Sequence, residues 1–309
     1  MELIVIGSSN MDIVISMPRI PLAGETILGG KSSLIFGGKG ANQAVTAARC
    51  GGKPTFITKL GHDIFGDKIK SHFKQEGLPS EYILTDETEP TGIAQIFVAE
   101  NGENVIAVAP GANAKLSIED LKPFESLLTQ SKVILIQLEI PIDTVQYVAH
   151  LASIHDIKLI LNPAPARALD SVLLNGLWLI TPNEHEAGLL TGIEVKDHAS
   201  AQQAGAYLLK QGVQNVIITM GNQGCLFIHN EKQQHFPAYR CKAIDTTAAG
   251  DVFNGALAVA ITRHLPFEKA IPFAAAAAAI SVTRYGAQTS IPNQAEVEQL
   301  LESGTMSID

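Results

Sequence analysis

The chain has 309 residues, 46% hydrophobic and 17% charged, so it is long and apolar enough to build one large core. Its formal net charge of −9 leaves no basic stripe for a phosphate backbone, which argues against a nucleic-acid partner and favours a small ligand. The three cysteines, Cys50, Cys225 and Cys241, lack metal-site spacing, so we expect a reducing cytoplasm and neither a disulfide framework nor a zinc site.

The predicted elements begin with a buried strand at Leu3–Ile6, and no basic segment or cleavage site precedes it, so we expect no signal peptide. Further short apolar runs alternate with helix-length amphipathic segments. The runs are Thr55–Leu60, Val133–Leu138, Lys158–Leu161, Trp178–Thr181 and Val216–Met220, and the helical segments are Ala41–Arg49, Ile142–Ile154 and Ala199–Gln211. This alternation predicts one α/β domain over residues 1–309, with a doubly wound, mostly parallel sheet and helices on both faces.

Two segments interrupt this rhythm, at Asp12–Gly30 and at Gly92–Val108. In the second, an Asn101-Gly102 turn separates two alternating runs, which is typical of a hairpin. We therefore expect an antiparallel flap inserted into the α/β body.

The C-terminal part is helical, with candidate helices at Val252–Arg263, Phe267–Arg284 and Gln294–Ser303. The alanine-rich stretch Phe273–Val282 is only about ten residues long, too short to span a membrane, so we expect no membrane partner. Gly255 lies inside a predicted helix, where it costs roughly 1 kcal/mol relative to alanine, and this indicates close approach by another group such as a helix.

Three acidic or amide side chains follow predicted strands. Asn10 and Asp12 lie on one face of an extended segment and could bind two hydroxyls together. Glu139 ends the run Val133–Leu138, at the edge of a parallel sheet where ligands bind, although a solvated loop acid is an equally simple interpretation. The Gly-x-Gly-x-x-Gly pattern of dinucleotide-binding folds is missing at the first strand.

The segment Phe36-Gly-Gly-Lys-Gly-Ala-Asn-Gln43 leads into a helix without the spacing of a nucleotide P-loop. Its glycines allow a ligand to approach the backbone, while Lys39 and Asn42 offer donors for sugar hydroxyls. An ordinary turn with a solvated lysine is the alternative. Further on, Asn183 and Glu186 have the spacing of a capping box, or of a metal or phosphate site, and Thr219–Gly224 is typical of a tight turn against which a nucleotide could lie.

The strongest local signal is Ile244-Asp-Thr-Thr-Ala-Ala-Gly-Asp251, just before a helical run. Small residues at a helix start expose its first N–H groups, which attract an anion such as phosphate. Asp251 beside that site fits a base that accepts a proton from an attacking hydroxyl, and an ordinary aspartate (pKa ~3.9) is already ionised at neutral pH. The alternative is that Asp245, Thr247 or Asp251 merely caps the helix.

Six segments, taken together in chain order, resemble the ribokinase branch of the PfkB carbohydrate kinase family, over Ile4 to Pro292. They are Asn10–Asp12, Gly37–Asn42, Glu139, Asn183–Glu186, Thr219–Gly224 and Asp245–Asp251. The resemblance implies a doubly wound α/β body and a small β-sheet lid, formed by approximately residues 12–36 and 91–110. That lid closes the sugar site and pairs two subunits into a homodimer. The implied reaction is ATP-dependent phosphorylation of D-ribose at the 5-hydroxyl.

The resemblance also assigns roles to individual positions. The sugar would contact Asn10, Asp12, Gly38, Lys39, Gly40, Asn42, Glu139 and Asp251, and the nucleotide would contact Asn183, Thr219, Gly221, Gly224, Gly250 and Ala275. Ala248, Ala249 and Gly250 would form an anion hole beside the base Asp251, and Glu186 would position Mg²⁺ through water. An activating K⁺ would lie at Asp245, Thr247, Ser281, Arg284, Gly286 and Ser290.

Two positions depart from the family pattern. Many relatives have glycine where Ala248 stands, and a polar residue is often found where Ala275 stands, so the adenine contact and base selectivity are open. Within the enzyme class, another pentose, a hexose or a nucleoside, such as deoxyribose or fructose, is the alternative substrate. A sugar-binding regulator without catalysis is the alternative of another class, and the intact Asp251 with its glycine argues against it.

Overall fold

The computed structural model describes residues 2–230 and 232–304. Within them, the strands form two sheets, and helices cover both faces of the larger sheet. The strands are β1 (Leu3–Ile6), β2 (Asn10–Met17), β3 (Lys31–Gly37), β4 (Thr55–Gly61), β5 (Ile83–Asp86), β6 (Gly92–Ala99), β7 (Asn104–Ala109), β8 (Val133–Ile136), β9 (Lys158–Leu161), β10 (Leu179–Ile180), β11 (Asn215–Thr219), β12 (Cys225–His229) and β13 (Lys232–Phe236). The α-helices are α1 (Lys39–Arg49), α2 (Ile64–Gln75), α3 (Ile118–Leu121), α4 (Glu125–Thr129), α5 (Ile142–Ile154), α6 (Ser171–Leu174), α7 (Glu184–Thr191), α8 (His198–Lys210), α9 (Ala249–Thr262), α10 (Phe267–Ser281) and α11 (Gln294–Ser303).

The large sheet has nine strands in the order β13-β12-β11-β10-β9-β8-β1-β4-β5. From β11 to β5 the neighbours pair in parallel, and β12 and β13 add an antiparallel edge. The chain runs from β1 to one side through β4, and later continues on the other side with β8. In open α/β sheets, such a reversal leaves a ligand crevice at the carboxyl ends of the strands. The predicted fold class is confirmed.

Two apolar cores flank this sheet because successive side chains of a strand point to opposite faces. In β1, Leu3 and Val5 pack into the core beneath α1, α9 and α10, while Ile4 and Ile6 pack into the core beneath α5 and α8. On the first face α1 and α9 touch through their backbones: a Cβ atom at Gly255 would lie 2.5 Å from the carbonyl oxygen of Gln43. The predicted close approach of another helix at Gly255 is confirmed.

The small sheet has the strand order β3-β2-β6-β7. The β6–β7 hairpin turns at Asn101-Gly102 as predicted, and β2–β3 is also antiparallel. The central pair β2–β6, however, runs parallel, so the flap is not wholly antiparallel. Both of these strands leave the same, carboxyl-terminal edge of the large sheet, and they therefore travel in the same direction.

Two helix boundaries differ from the sequence prediction by three residues, and the others by two or fewer. Helix α9 begins at Ala249 rather than Val252, so the small residues of the motif form its first turn. Helix α10 ends at Ser281 rather than Arg284. Across the described ranges, we find no helix long and apolar enough to cross a membrane.

Candidate active site

Glu139 ties the start of α1 to the end of β1. Its Oε2 accepts hydrogen bonds from Ser8 Oγ at 2.5 Å and from the backbone N–H of Lys39 at 3.1 Å, and its Oε1 lies 4.0 Å from Lys39 Nζ. The glutamate is half-buried. It is therefore not a solvated loop acid, and Lys39 is not a free surface lysine.

The glycines of this segment serve packing within the protein. Gly38 is the N-cap of α1 with φ 89°, and a Cβ atom there would lie 2.7 Å from the Cα of Ser9. A Cβ atom at Gly40 would lie 2.5 Å from the carbonyl carbon of Gly7. The absence of side chains thus lets α1 begin directly against the turn after β1, whereas the sequence suggested that these glycines make room for a ligand.

The start of α9 carries Asp251 in its first turn. Its N-cap is Ala248, with φ 60° and no side-chain capping hydrogen bond, so the alternative that Asp245, Thr247 or Asp251 caps this helix is wrong. A left-handed alanine costs roughly 1 kcal/mol more than the glycine that many relatives have there. Above Gly250 a Cβ atom would meet nothing within 4 Å. The N–H of Ala249 donates to the Thr246 carbonyl at 3.2 Å, whereas the start of α9 is open at Gly250, where an anion could approach.

Both carboxylate oxygens of Asp251 accept a hydrogen bond from α1. Asn42 Nδ2 donates to Oδ2 at 3.0 Å, and Gln43 Nε2 donates to Oδ1 at 2.9 Å. Burial raises the pKa of Asp251, while Lys39 and the two amide donors oppose that rise. This differs from the sequence-based expectation of an ordinary aspartate, because burial raises the pKa of this carboxyl group above its usual value.

Four charged groups meet in the crevice. Burial, together with the charges of Glu139 and Asp251, raises the pKa of Asp12 to about 7. Burial by itself would lower the pKa of Lys39, but Asp251, Glu139 and Asp12 hold it above its ordinary value. The lysine therefore balances several carboxylates, and the predicted residues of the sugar site influence one another electrostatically.

Asn10 and Asp12 lie on β2, as expected. Asn10 Oδ1 accepts a hydrogen bond from Asn113 Nδ2 at 2.8 Å, and Asn113 Oδ1 in turn accepts from the N–H of Ser9 at 2.8 Å. Asp12 lies over Gly37, where a Cβ atom would collide with its carboxylate. Asp12 Oδ1 is buried and has no hydrogen-bond partner among residues 2–230 and 232–304.

Sequence reasoning missed several buried polar residues that support these groups. Gln137, Asn162 and Thr181 directly follow β8, β9 and β10 and are almost completely buried. Asn113 lies in the connection after β7. A usable signal existed for the first three, because each is the polar residue just beyond a buried parallel strand, where open sheets bind ligands.

Most of the predicted nucleotide residues lie at the end of β11 and in the segments that follow β10 and β11. Asn183 and Glu186 form the capping box of α7, with Glu186 N–H donating to Asn183 Oδ1 at 2.8 Å and Asn183 N–H donating to Glu186 Oε2 at 2.9 Å. Asn183 also pairs with Thr219 in a parallel bridge. The tight turn predicted within Thr219–Gly224 is confirmed at Gly221–Gln223, between β11 and β12, while Thr219 itself ends β11. Ala275 is half-buried on α10, which packs against α9.

The acidic groups fit a Mg²⁺ ion that is held mainly by phosphate and water. Among the described residues, no group of three or more His, Cys, Asp or Glu side chains could hold a metal ion. Glu186 is a buried carboxylate, and the charges of Lys39 and Asp251 affect its pKa, which burial raises. A single carboxylate close to a phosphate site is the arrangement typical of Mg²⁺ on nucleotides.

The positions expected to hold K⁺ flank the start of α9. Asp245 Oδ1 accepts from the N–H and the hydroxyl of Thr247, and its Oδ2 accepts from the N–H of Gly286 at 2.8 Å. The Arg284 guanidinium instead pairs with Glu296. Ser281 and Ser290 donate their hydroxyls to backbone carbonyls, of Ala278 and Ala287 respectively. These segments offer a carboxylate and backbone carbonyls, which suit a weakly hydrated cation.

Comparisons with known proteins identify the family of this chain. Residues 1–294 match the pfkB family of carbohydrate kinases. A ribokinase from Haemophilus influenzae is 45% identical over 97% of this chain and 98% of its own length, and a deoxyribokinase from Salmonella typhi is 36% identical over 98% of both chains. The structure of Arabidopsis thaliana ribokinase complexed with ribose and ATP superimposes with a TM-score of 0.91 at 32% identity, covering 97% of this chain and 98% of that one. This chain therefore belongs to the PfkB family of carbohydrate kinases.

Proposed function

We propose that this ATP-dependent sugar kinase transfers the γ-phosphoryl group of ATP to the 5-hydroxyl of D-ribose. One observation carries the proposal. Asp251 lies at the start of α9, which has no side-chain cap, and it interacts electrostatically with Asp12, Lys39 and Glu139. A proton acceptor, an anion-binding helix end and hydroxyl-binding side chains therefore converge in one crevice. The ribokinase relatives, at up to 45% identity, support ribose as the sugar.

In this reaction Asp251 accepts the proton of the attacking hydroxyl. The N–H groups of Ala248, Ala249 and Gly250 and of Asp251 itself stabilise negative charge on the transferred group. The Lys39 ammonium group neutralises part of the negative charge in the crevice and lies beside the Glu139 carboxylate. The hydrogen bond from the Lys39 backbone N–H to Glu139 fixes the start of α1. Positioning accounts for most of the catalysis, as is usual for phosphoryl transfer.

The substrates would occupy two adjoining parts of the crevice. Sugar hydroxyls would bind to Asn10, Asp12, Gly38, Lys39, Gly40, Asn42 and Glu139, and the nucleotide would lie against Asn183, Thr219, Gly221, Gly224, Gly250 and Ala275. The small sheet, at approximately residues 12–36 and 91–110, would close over the sugar as a lid and exclude water that would otherwise hydrolyse ATP.

Two ions complete the proposal. Glu186 would hold Mg²⁺ through water, and the ion would neutralise charge on the phosphates. K⁺ would lie among Asp245, Thr247, Ser281, Arg284, Gly286 and Ser290, mostly on their backbone carbonyls, and would fix the loop before α9.

We also infer a homodimer formed through the lid. All residues of the edge strand β7 are exposed, including Val105, Ile106 and Val108, and Leu34 on the opposite edge strand β3 is half exposed. Exposed apolar edge strands are usually covered by a partner. A second copy of the small sheet offers the matching apolar surface.

A panel of sugars tests the function and its main alternative together. Ribose, 2-deoxyribose, fructose and nucleosides are incubated with MgATP, and the product is identified by mass and by ³¹P–¹H NMR coupling. We expect the highest kcat/KM with ribose and the phosphate on its 5-oxygen. Preference for 2-deoxyribose would favour the activity named for the Salmonella relative, and the absence of phosphorylation of any sugar would contradict the proposal.

A further inference from the structure

A chain of buried amides lies directly behind the carboxylate of Asp251. Gln137 Nε2 donates to Gln43 Oε1 at 2.5 Å, and Gln43 Nε2 donates both to Asp251 Oδ1 at 2.9 Å and to Asn162 Oδ1 at 3.0 Å. Gln43 and Gln137 have no exposed surface, and Asn162 is 5% exposed. None of these three amides belongs to the residues expected to touch sugar or nucleotide.

The directions of these hydrogen bonds follow from the chemistry of the groups. An ionised carboxylate can only accept, so Gln43 must turn its NH₂ group towards Asp251. Its oxygen then faces Gln137, which must donate, and its second N–H reaches Asn162. All three polar positions of the Gln43 amide are therefore engaged, and rotating this amide would break every bond and place an oxygen against the carboxylate.

Backbone packing holds the amide chain in position. A Cβ atom at Gly255 would lie 2.5 Å from the Gln43 carbonyl oxygen, so α1 and α9 are in direct contact at this residue. A Cβ atom at Gly7 would lie 2.0 Å from Gln137 Oε1, so the glycine provides the space that Gln137 occupies. The distance between Gln43 and Asp251 is thus set by the two helices and not by flexible side chains alone.

We propose that Gln43 is a positioning residue for the catalytic base: held by Gln137 and Asn162, it orients the Asp251 carboxylate and keeps it able to accept a proton. The inference rests on the proposed kinase function, in which Asp251 is that base. Donation from an N–H favours the ionised form of a carboxyl group, which burial disfavours. Asn42 donates to Oδ2 and Gln43 donates to Oδ1. The position of Gln43 therefore determines which lone pair of Oδ1 stays free to face the substrate.

The test replaces Gln43 by a side chain of similar length without hydrogen-bonding atoms, Gln43→Met. We expect kcat to fall roughly 10- to 100-fold, the scale of one lost hydrogen bond to a charged group, with the KM values for sugar and ATP changed by less than about threefold. The acidic limb of the kcat–pH profile should move to higher pH, because Asp251 would protonate more readily. A purely structural role would not move that limb.

Two comparisons sharpen the result. In Asp251→Asn, the added change Gln43→Met should lower kcat by less than about twofold, because the group that Gln43 positions is no longer a base. Thr144→Val is the matched control for a lost buried hydrogen bond, since Thr144 Oγ1 donates to the Leu116 carbonyl and neither residue belongs to the proposed site, and it should leave the pH profile unchanged. Asn162→Ala releases only one anchor of Gln43 and should shift the same limb by less.

A normal pH profile and kcat in Gln43→Met would overturn the inference, as would fully multiplicative losses in the double variant. If Gln43→Met does not fold, an unchanged profile in Asn162→Ala has the same meaning. The measurements use whichever sugar the wild-type enzyme phosphorylates. Should it phosphorylate none, the proposed function fails on its own, and carboxyl NMR titration of ligand-free enzyme still shows whether Asp251 protonates at higher pH in Gln43→Met, as the inference requires.

Discussion

The two aspartates of the crevice, Asp251 and Asp12, differ in their hydrogen bonding. Asp251, on the α/β body, receives a hydrogen bond on each carboxylate oxygen from α1. Asp12, on the small sheet, has a buried oxygen without a partner in the described part of the chain, and its pKa rises to about 7. The α/β body therefore presents a carboxylate, the proposed base, with a hydrogen bond on each oxygen, whereas the small sheet presents a carboxyl group with one unpartnered buried oxygen. The predictions below test this contrast.

The largest effect on turnover should come from a change at Asp251. Asp251→Asn keeps the shape and one accepting oxygen, but it replaces the other oxygen by an NH₂ group that faces an amide donor of α1. It removes the proton acceptor, so we expect kcat to fall roughly 10²- to 10⁴-fold. Binding of sugar and of ATP, measured by calorimetry, should change little. Turnover near the wild-type rate would show that another group takes the proton.

Removing the charge of Asp12 should stabilise the ligand-free protein. The pKa of Asp12 is about 7 in the folded protein, above its ordinary value of 3.8, so its ionisation opposes folding. The contribution of the neutral Asp12 carboxyl group to the free energy of unfolding is complete below pH 4 and is lost as the pH rises through 7. Asp12→Asn should therefore be ~2–4 kcal/mol more stable than wild type at pH 8 but nearly equal to it at pH 4.

Urea unfolding at the two pH values measures this difference. Asp156→Asn is the control, because Asp156 is exposed and its left-handed backbone (φ 54°) accepts asparagine. A stability gain that is equal at both pH values, or present in the control, would contradict the assignment.

The same residue should matter in the opposite sense for sugar binding. Asp12→Ala removes an acceptor that faces the proposed hydroxyls, so ribose affinity should weaken by roughly 1–3 kcal/mol. Calorimetry with ribose measures the change, and ATP affinity serves as the internal control. Unchanged ribose binding would place the sugar elsewhere.

The smallest effect should come from the loop that precedes α9. Asp245 ties Thr247 to Gly286, so Asp245→Ala should loosen the backbone that a bound K⁺ would fix. Replacing K⁺ by Na⁺ at constant ionic strength should slow wild-type turnover about fivefold, the equivalent of ~1 kcal/mol of preorganisation, and should hardly affect the variant. Equal wild-type rates in both salts would contradict a K⁺ site.

Local sequence patterns were sufficient for the body of the fold. The fully apolar run Leu3–Ile6 could only be a buried strand, and Asn183 with Glu186 formed the capping box that their spacing indicates. The start of α9 was placed three residues late because Ala248 in the left-handed region has no local sequence signature. Pairing between distant strands, such as the parallel β2–β6 pair, depends on where both leave the large sheet and is not encoded in either strand.

The sequence predicted the charged residues of the candidate site and the amides Asn10, Asn42 and Asn183. It missed the buried amides behind them. Asp251 and Glu139 were found because a carboxylate at a helix start or strand end suggests chemistry. Gln43 and Asn113 act through partners about 100 or more positions away in the chain, at Gln137, Asp251 and Ser9, and a single sequence carries no signal of such contacts. The raised pKa of Asp251 was likewise invisible, because burial arises only when α1 and α9 pack together.

The contact between α1 and α9 also implies an order in which the proposed site is completed during synthesis of the chain. Asn42 and Asp251 are 209 positions apart, so the proposed base and the Asn42 amide that donates to it leave the ribosome at very different times. A nascent chain with every proposed sugar-binding residue except Asp251 still lacks the helix that supplies the base and the anion site. Since such long-range contacts form late in folding, the ability to transfer phosphate arises only once the C-terminal helices have packed onto the sheet.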